Sequence, residues 1–183
     1  QIVSQQQASH FHGEAFLGLR YQSNANLGPA TSAVRLFGQV ANLNQQAVGS
    51  SDWGAVSTLQ LRHTYDFGPQ DRATLETQLT GYANRQFQLS AANVWLLDLT
   101  TGPRVQVLSN WFEDLTIKPL FAGGAIWVND TSYYTSYGSG LEVNTMLSDR
   151  LRNISTVIWR RQNHADTSYL PTNSLFRGTE YSF

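Results

Sequence analysis

The side chains here that could do chemistry are few and scattered. His10-Phe11-His12 sets two imidazoles on one side of an extended segment, the start of a metal site, but no further ligand set is evident beside them. The chain has no cysteine, which excludes disulfides and thiolate zinc sites. His63 falls in phase with Leu59 and Leu61, so it reads as an interface residue rather than a base, for which it lacks a partner in sequence. Asp52, Asp130, His164 and Asp166 fall in polar connections, where loop solvation accounts for them. Asn129-Asp130-Thr131 and Asn153-Ile154-Ser155 are three-residue matches to a glycosylation pattern. There is no G-x-S-x-G, no H-E-x-x-H and no phosphate-binding glycine loop. No catalytic residue, metal or cofactor is expected, and the chain reads as a non-enzyme.

A second polar group is more ordered. Arg20, Gln60, Arg62, Glu76, Gln78, Asp98, Arg104, Lys118, Glu142 and Asn144 each alternate with apolar neighbours. Alternation is the signature of strands, whose successive side chains point to opposite faces. These ten are expected to line one enclosed, wet face. They either bias the solutes that pass or pair across the interior and plug it.

Composition agrees with such a face. Only 14% of the 183 residues are charged, against about 25% in an average soluble domain. Polarity comes mostly from Gln, Asn, Ser and Thr. Lys118 is the only lysine among twelve basic residues. A fixed guanidinium suits a partly enclosed ion-pair network better than a freely solvated surface. The formal net charge of -1 argues against nucleic acid as a partner.

The elements that must position these residues are strands. Residues 1–12 are Gln-rich and aperiodic and read as a connector or leader; 13–183 read as one β domain. Strands are expected over 14–22, 53–67, 72–85, 89–108, 116–128, 133–147, 152–162 and 175–183. A short extra strand is expected near Val34–Val40, and 40–48 is the best, though weak, amphipathic helix. Gly68-Pro69-Gln70-Asp71, residues 109–115 and Ser148-Asp149-Arg150 read as short turns. Residues 23–51 and 163–174 read as long polar connections. Gly102-Pro103 predicts a bulge or kink, and Pro119 weakens the start of its strand.

Several of these strands exceed the about 5–6 residues usual in soluble proteins and reach the ~9–11 needed to cross a bilayer at a tilt. Connections at one end are short, and two at the other are long, as in outer-membrane barrels. Tyr21, Trp53, Tyr65, Phe67, Trp127, Tyr133, Trp159, Tyr181 and Phe183 are placed near strand ends, where amphipathic rings would meet lipid headgroups. The expected fold is all-β: an antiparallel up-and-down transmembrane β-barrel of about eight strands, complete or a sector of a larger one. The expected location is a bacterial outer membrane.

Residues 13–26, GEAFLGLRYQSNAN, followed by Gly28-Pro29, resemble the opening of the barrel in proteobacterial outer-membrane proteins that carry periplasmic tetratricopeptide repeats. The surface lipoprotein assembly modifiers belong to this type. Tyr65-Asp66-Phe67-Gly68 and Gly102-Pro103-Arg104 are similar to the same barrels, and Tyr181-Ser182-Phe183 resembles the aromatic-x-Phe ending that the outer-membrane assembly machinery reads. The resemblance implies a barrel that assists export, translocation or surface display. It also implies outer-membrane lipid, the assembly machinery and an exported protein or lipoprotein as partners. Two departures stand out: no repeat segment precedes the strands, and the family's barrels are larger than eight strands. A small adhesive barrel with a plugged lumen and a soluble ligand-binding β-sandwich or barrel remain the alternatives.

Overall fold

The computed structural model describes residues 8–36, 38–68, 73–107, 113–148, 150–166, 175 and 177–183. Eight strands form one sheet: β1 (Ser9–Gln22), β4 (Asp52–Asp66), β5 (Ala73–Gln86), β6 (Val94–Gln106), β7 (Glu113–Val128), β8 (Thr131–Ser148), β9 (Leu151–His164) and β10 (Arg177–Ser182). Each pairs antiparallel with the next in chain order, the up-and-down topology that short links favour. β2 (Ala33–Leu36) and β3 (Gln39–Asn42) make a separate hairpin within the first connection, where one short strand was expected. The helix weighed over 40–48 is only a 3-10 turn at Gln45–Ala47.

The sheet is open among the described residues: β1 and β10 sit at opposite edges and do not pair. β10 offers six residues against the fourteen of β1, too few to cover that edge.

Two further sequence expectations change. The connector over 1–12 ends earlier, because Ser9–His12 pair with Arg62–Tyr65 and extend β1; residues 1–7 lie outside the described ones. The bulge at Gly102-Pro103 is absent. β6 and β7 keep one register on both sides of 102–104 while leaving those residues unpaired. Pro103 and Pro119 each lack an amide hydrogen, and both fall in this one ladder, so the loss is confined to a single gap. Register shifts occur instead at Glu113/Thr116 and Ile126/Trp127 in β7–β8 and at Met146/Ser148 in β8–β9. The tight turn at 68–71 and the connections at 109–115 and 163–174 fall largely outside the described residues.

Away from those shifts, even-numbered residues pair with even-numbered ones throughout, as Glu14↔Gln60, Gln60↔Thr80, Thr80↔Asp98, Asp98↔Gly124 and Gly124↔Ser136 show. The sheet therefore has an even face and an odd face. The odd face carries Leu17, Leu19, Leu97, Leu99, Phe121, Tyr137, Leu141 and Val157, all exposed; Leu17 is 78% and Phe121 70% accessible. The even face carries the buried polar residues Asn84, Gln86, Lys118, Ser136 and Asn144; Lys118 is 8% and Gln86 4% accessible. Ala25, Ala83, Leu120 and Ala122 are the only buried apolar residues described, and no large side chain is fully buried. Soluble domains have the reverse arrangement.

Candidate functional site

All ten polar residues expected to share a face do so: each is even-numbered and in register on the even face. Nine of them fall into four groups, and Asn144 lies apart.

The central group joins four strands. Arg104 (β6) donates from Nε to Glu76 Oε1 (β5) at 2.6 Å and from Nη2 to Glu76 Oε2 at 3.0 Å. The same Nη2 donates to Glu142 Oε1 (β8) at 2.6 Å, and Nη1 to Thr116 Oγ1 at 3.2 Å. Lys118 Nζ (β7) donates to Glu76 Oε2 at 2.9 Å. Two cations and two carboxylates balance. Glu76 holds Arg104 through a two-pronged contact that a lysine could not supply. Lys118 reaches Glu76 across β6, where the residue in register with Glu76 is Gly102, which has no side chain to block the approach. A Cβ at Gly102 would lie 2.0 Å from the Pro119 carbonyl oxygen, so no other residue fits that approach.

The second group spans further. Arg160 (β9) pairs with Asp98 (β6) through Nη1 to Oδ2, and through Nη2 to Oδ1 at 3.1 Å. Two strands lie between them, a gap of about 14 Å on a flat sheet at the usual spacing. The bridge needs the even face to be concave and the intervening positions to be small. Gly124, Ser136, Ala122 and Gly138 occupy them. A Cβ at Gly138 would meet the Trp159 carbonyl oxygen at 1.9 Å.

Gln60, Arg62 and Gln78 form the third group. With His12 and Glu14 they line a hollow of about 200 Å³. His12 Nε2 stands 3.5 Å from Glu14 Oε1, both side chains well exposed. Arg62 has no ion-pair partner among the described residues. In the fourth group Arg20 Nη2 donates to Gln22 Oε1 at 3.2 Å, and Gln86 Nε2 donates to the same oxygen at 2.7 Å. Arg20 Nε, Asn84 Oδ1 and Gln86 Oε1 are buried without a hydrogen-bond partner among the described residues. Asn144 Oδ1 is in the same condition, but Asn144 lies apart, between Thr116 and Ile154.

Arg160 was missed in the sequence because its strand alternates poorly. Counting from Trp159 as apolar would have placed it correctly. Asp52, expected in a connection, begins β4. Its Oδ2 accepts from the Gln88 and Leu89 amides at 2.8 Å and Oδ1 accepts from the Trp53 amide at 2.8 Å, which fixes the β5–β6 connection. His63 finds Ser9 Oγ 2.9 Å from Nε2 and stacks on Phe11 at 4.2 Å. Among the described residues, Ser9 and Phe11 are the side chains seen against the His63 ring. His164 ends β9, its ring 5.8 Å from Tyr133 and 5.4 Å from Tyr134. Asp130 makes the two-residue turn from β7 to β8. Among the described residues no cluster of His, Asp and Glu could hold a metal.

Eight of the nine expected strand-end aromatics fall into pairs. Tyr21 and Trp53 lie 5.4 Å apart at the end carrying the long connections, close to where β1 ends and β4 begins. Trp127 and Tyr133 flank the β7–β8 turn at the same end. Tyr65 and Phe67 lie 5.4 Å apart at the opposite end. Trp159 and Tyr181 are paired in register; Tyr181 is next to last in β10, whereas Trp159 sits toward the middle of β9, which continues to His164, beyond the end expected at 162. Phe183 lies beyond β10 and is 94% accessible. Comparison with protein-family models, with curated proteins and with solved structures returned no match.

Proposed function

We propose that this sheet is the wall of a bacterial outer-membrane β-barrel, non-enzymatic, with its odd face in lipid and its even face toward the lumen. The inversion of polarity carries the reading: large apolar side chains are exposed on one face while ion pairs and amides are sheltered on the other. In water such an apolar face would be an aggregation or interaction surface; in a bilayer it is the solvated one. Strand length agrees. Trp53 and Tyr65 lie twelve residues apart on β4. That is roughly 40 Å along the strand and about 30 Å along an axis tilted ~45°, close to the thickness of the hydrocarbon layer.

A lipid environment does not tolerate unpaired strand edges. The reading therefore requires partners for β1 and β10. Direct pairing of these two strands would cover six residues of β1, so further strands completing a larger barrel fit better. The resemblance of 13–26 to tetratricopeptide-linked barrels supplies the role: assisting export or display of a protein or lipoprotein at the outer face. A plugged, adhesive barrel is the second reading, favoured by the Asp98–Arg160 bridge across the concave face.

The protein refolded in detergent is expected to migrate differently on a gel before and after heating. Absence of that shift, with solubility in plain buffer, would sink the membrane reading. Conductance in a planar bilayer separates passage from a plugged lumen, because a plugged barrel stays silent.

A further inference from the structure

The odd face is not uniformly smooth. Between β1, β4, β5 and β6 it is indented by a groove of about 490 Å³. Ser57, Gly81 and Ala83 form the floor, where small side chains lie in adjacent strands. Leu17, Trp95 and Leu97 stand along the sides. Such a groove suits a hydrocarbon chain rather than a polar ligand, since its lining is mostly apolar.

Charge marks one end. Arg85 lies two residues beyond Ala83 on the same strand and face, toward the end with the long connections. It is exposed and has no ion-pair partner among the described residues. Trp53 and Trp95 are its diagonal neighbours, two residues from the positions that face it in β4 and in the extended register of β6. Among the described side chains, Arg85 and Arg161 are the arginines on the odd face of the sheet, and both fall within a few residues of this same end. A guanidinium at that depth is tolerated near the interface and costly at mid-membrane.

We propose that the groove and Arg85 together bind one acyl lipid with a net negative headgroup. Its chain lies over Gly81 and Ala83 and its headgroup meets Arg85 between the two indole rings. The inference rests on the membrane reading given above. A neighbouring hollow of about 330 Å³ shares Trp95 and Leu97 but ends at Asp130, whose carboxylate would repel such a headgroup. The negative lipid is therefore placed on the Arg85 side.

The test uses the whole chain folded in neutral maltoside micelles with phosphatidylglycerol or phosphatidylcholine of identical chains, the bound lipid being counted by native mass spectrometry. Wild type should prefer phosphatidylglycerol by roughly 5-fold, the scale of one arginine at a membrane surface. Arg85→Gln should lose the preference while keeping phosphatidylcholine retention. Ala83→Leu, which fills the floor, should lower retention of both; Ser57→Leu serves if that variant does not fold. An unchanged preference in Arg85→Gln, or unchanged retention in the filled variants, overturns the proposal. Heat-dependent migration of each sample separates this failure from failure of the membrane reading, since a folded barrel that retains no lipid contradicts only the lipid site.

Discussion

The two faces of one sheet are built on opposite rules. On the odd face, large apolar residues stand exposed. On the even face, glycines and other small residues make space so that long charged side chains can meet across one or two strands. Stability in such a molecule comes from the backbone ladder and from even-face pairs, with the odd face depending on its surroundings. The same substitution should therefore have opposite consequences on the two sides.

The largest contrast is expected from adding a charge. Leu99 is an odd-face residue in the middle of β6, and Gln78 is an even-face residue of β5. In a bilayer Leu99→Arg should cost about 2–4 kcal/mol. Gln78→Arg should stay within about 0.5 kcal/mol, as a wet surface substitution. Urea titration of the refolded protein in vesicles measures both. Equal costs would mean that the faces do not differ in environment.

Next in size is the central ion-pair group. Glu76→Gln removes the carboxylate that holds both Arg104 and Lys118, leaving the two cations with Glu142 as the group's remaining carboxylate. A loss of about 2–3 kcal/mol is expected, the range for charged hydrogen bonds with a stranded partner. Adding Lys118→Met should restore part of it. If the double variant is no better than the single one, Lys118 and Glu76 are not coupled. Asp98→Asn should cost less, about 1–2 kcal/mol, because it breaks one pair and the Asp98 side chain is 33% accessible and already partly solvated. Cutting the same pair with Arg160→Gln should give a similar loss, and the two together should be less than additive.

How far these groups were legible in the sequence depends on what each rule can see. Period-two alternation places Arg20, Gln60, Arg62, Glu76, Gln78, Asp98, Arg104, Lys118, Glu142 and Asn144 on one side, because facing is a local property of a strand. Which of them meet is set by register between strands, and that is not local. The Arg104–Glu76–Lys118 contact depends on Gly102 falling opposite Glu76, and nothing in either strand's own sequence says so. The turn dipeptide Gly102-Pro103 is a locally correct warning of a break that the ladder confines to one gap. Arg160 escaped for a different reason: Arg160-Arg161 and Asn153-Ile154-Ser155 blur the apolar face of β9. Whether β1 meets a partner is a property of edges and lies outside any periodicity.

The smallest expected effect tests the odd face at its rim. Trp53 and Tyr21 are half-exposed, with ring centroids 5.4 Å apart at a tilted angle. Trp53→Leu keeps the apolar character but removes the indole and its ring contact, so it should cost about 0.5–1.5 kcal/mol. The size alone does not distinguish an interface ring from an ordinary cross-strand pair. Solvent does. In vesicles, an indole at headgroup depth should be quenched by spin labels near the headgroup and spared by labels at the chain ends. Leu97→Trp, four residues into β6 and nearer mid-membrane on the proposed axis, should show the opposite order. If both positions respond alike, or neither is quenched, the aromatic rim is cross-strand packing rather than a membrane boundary.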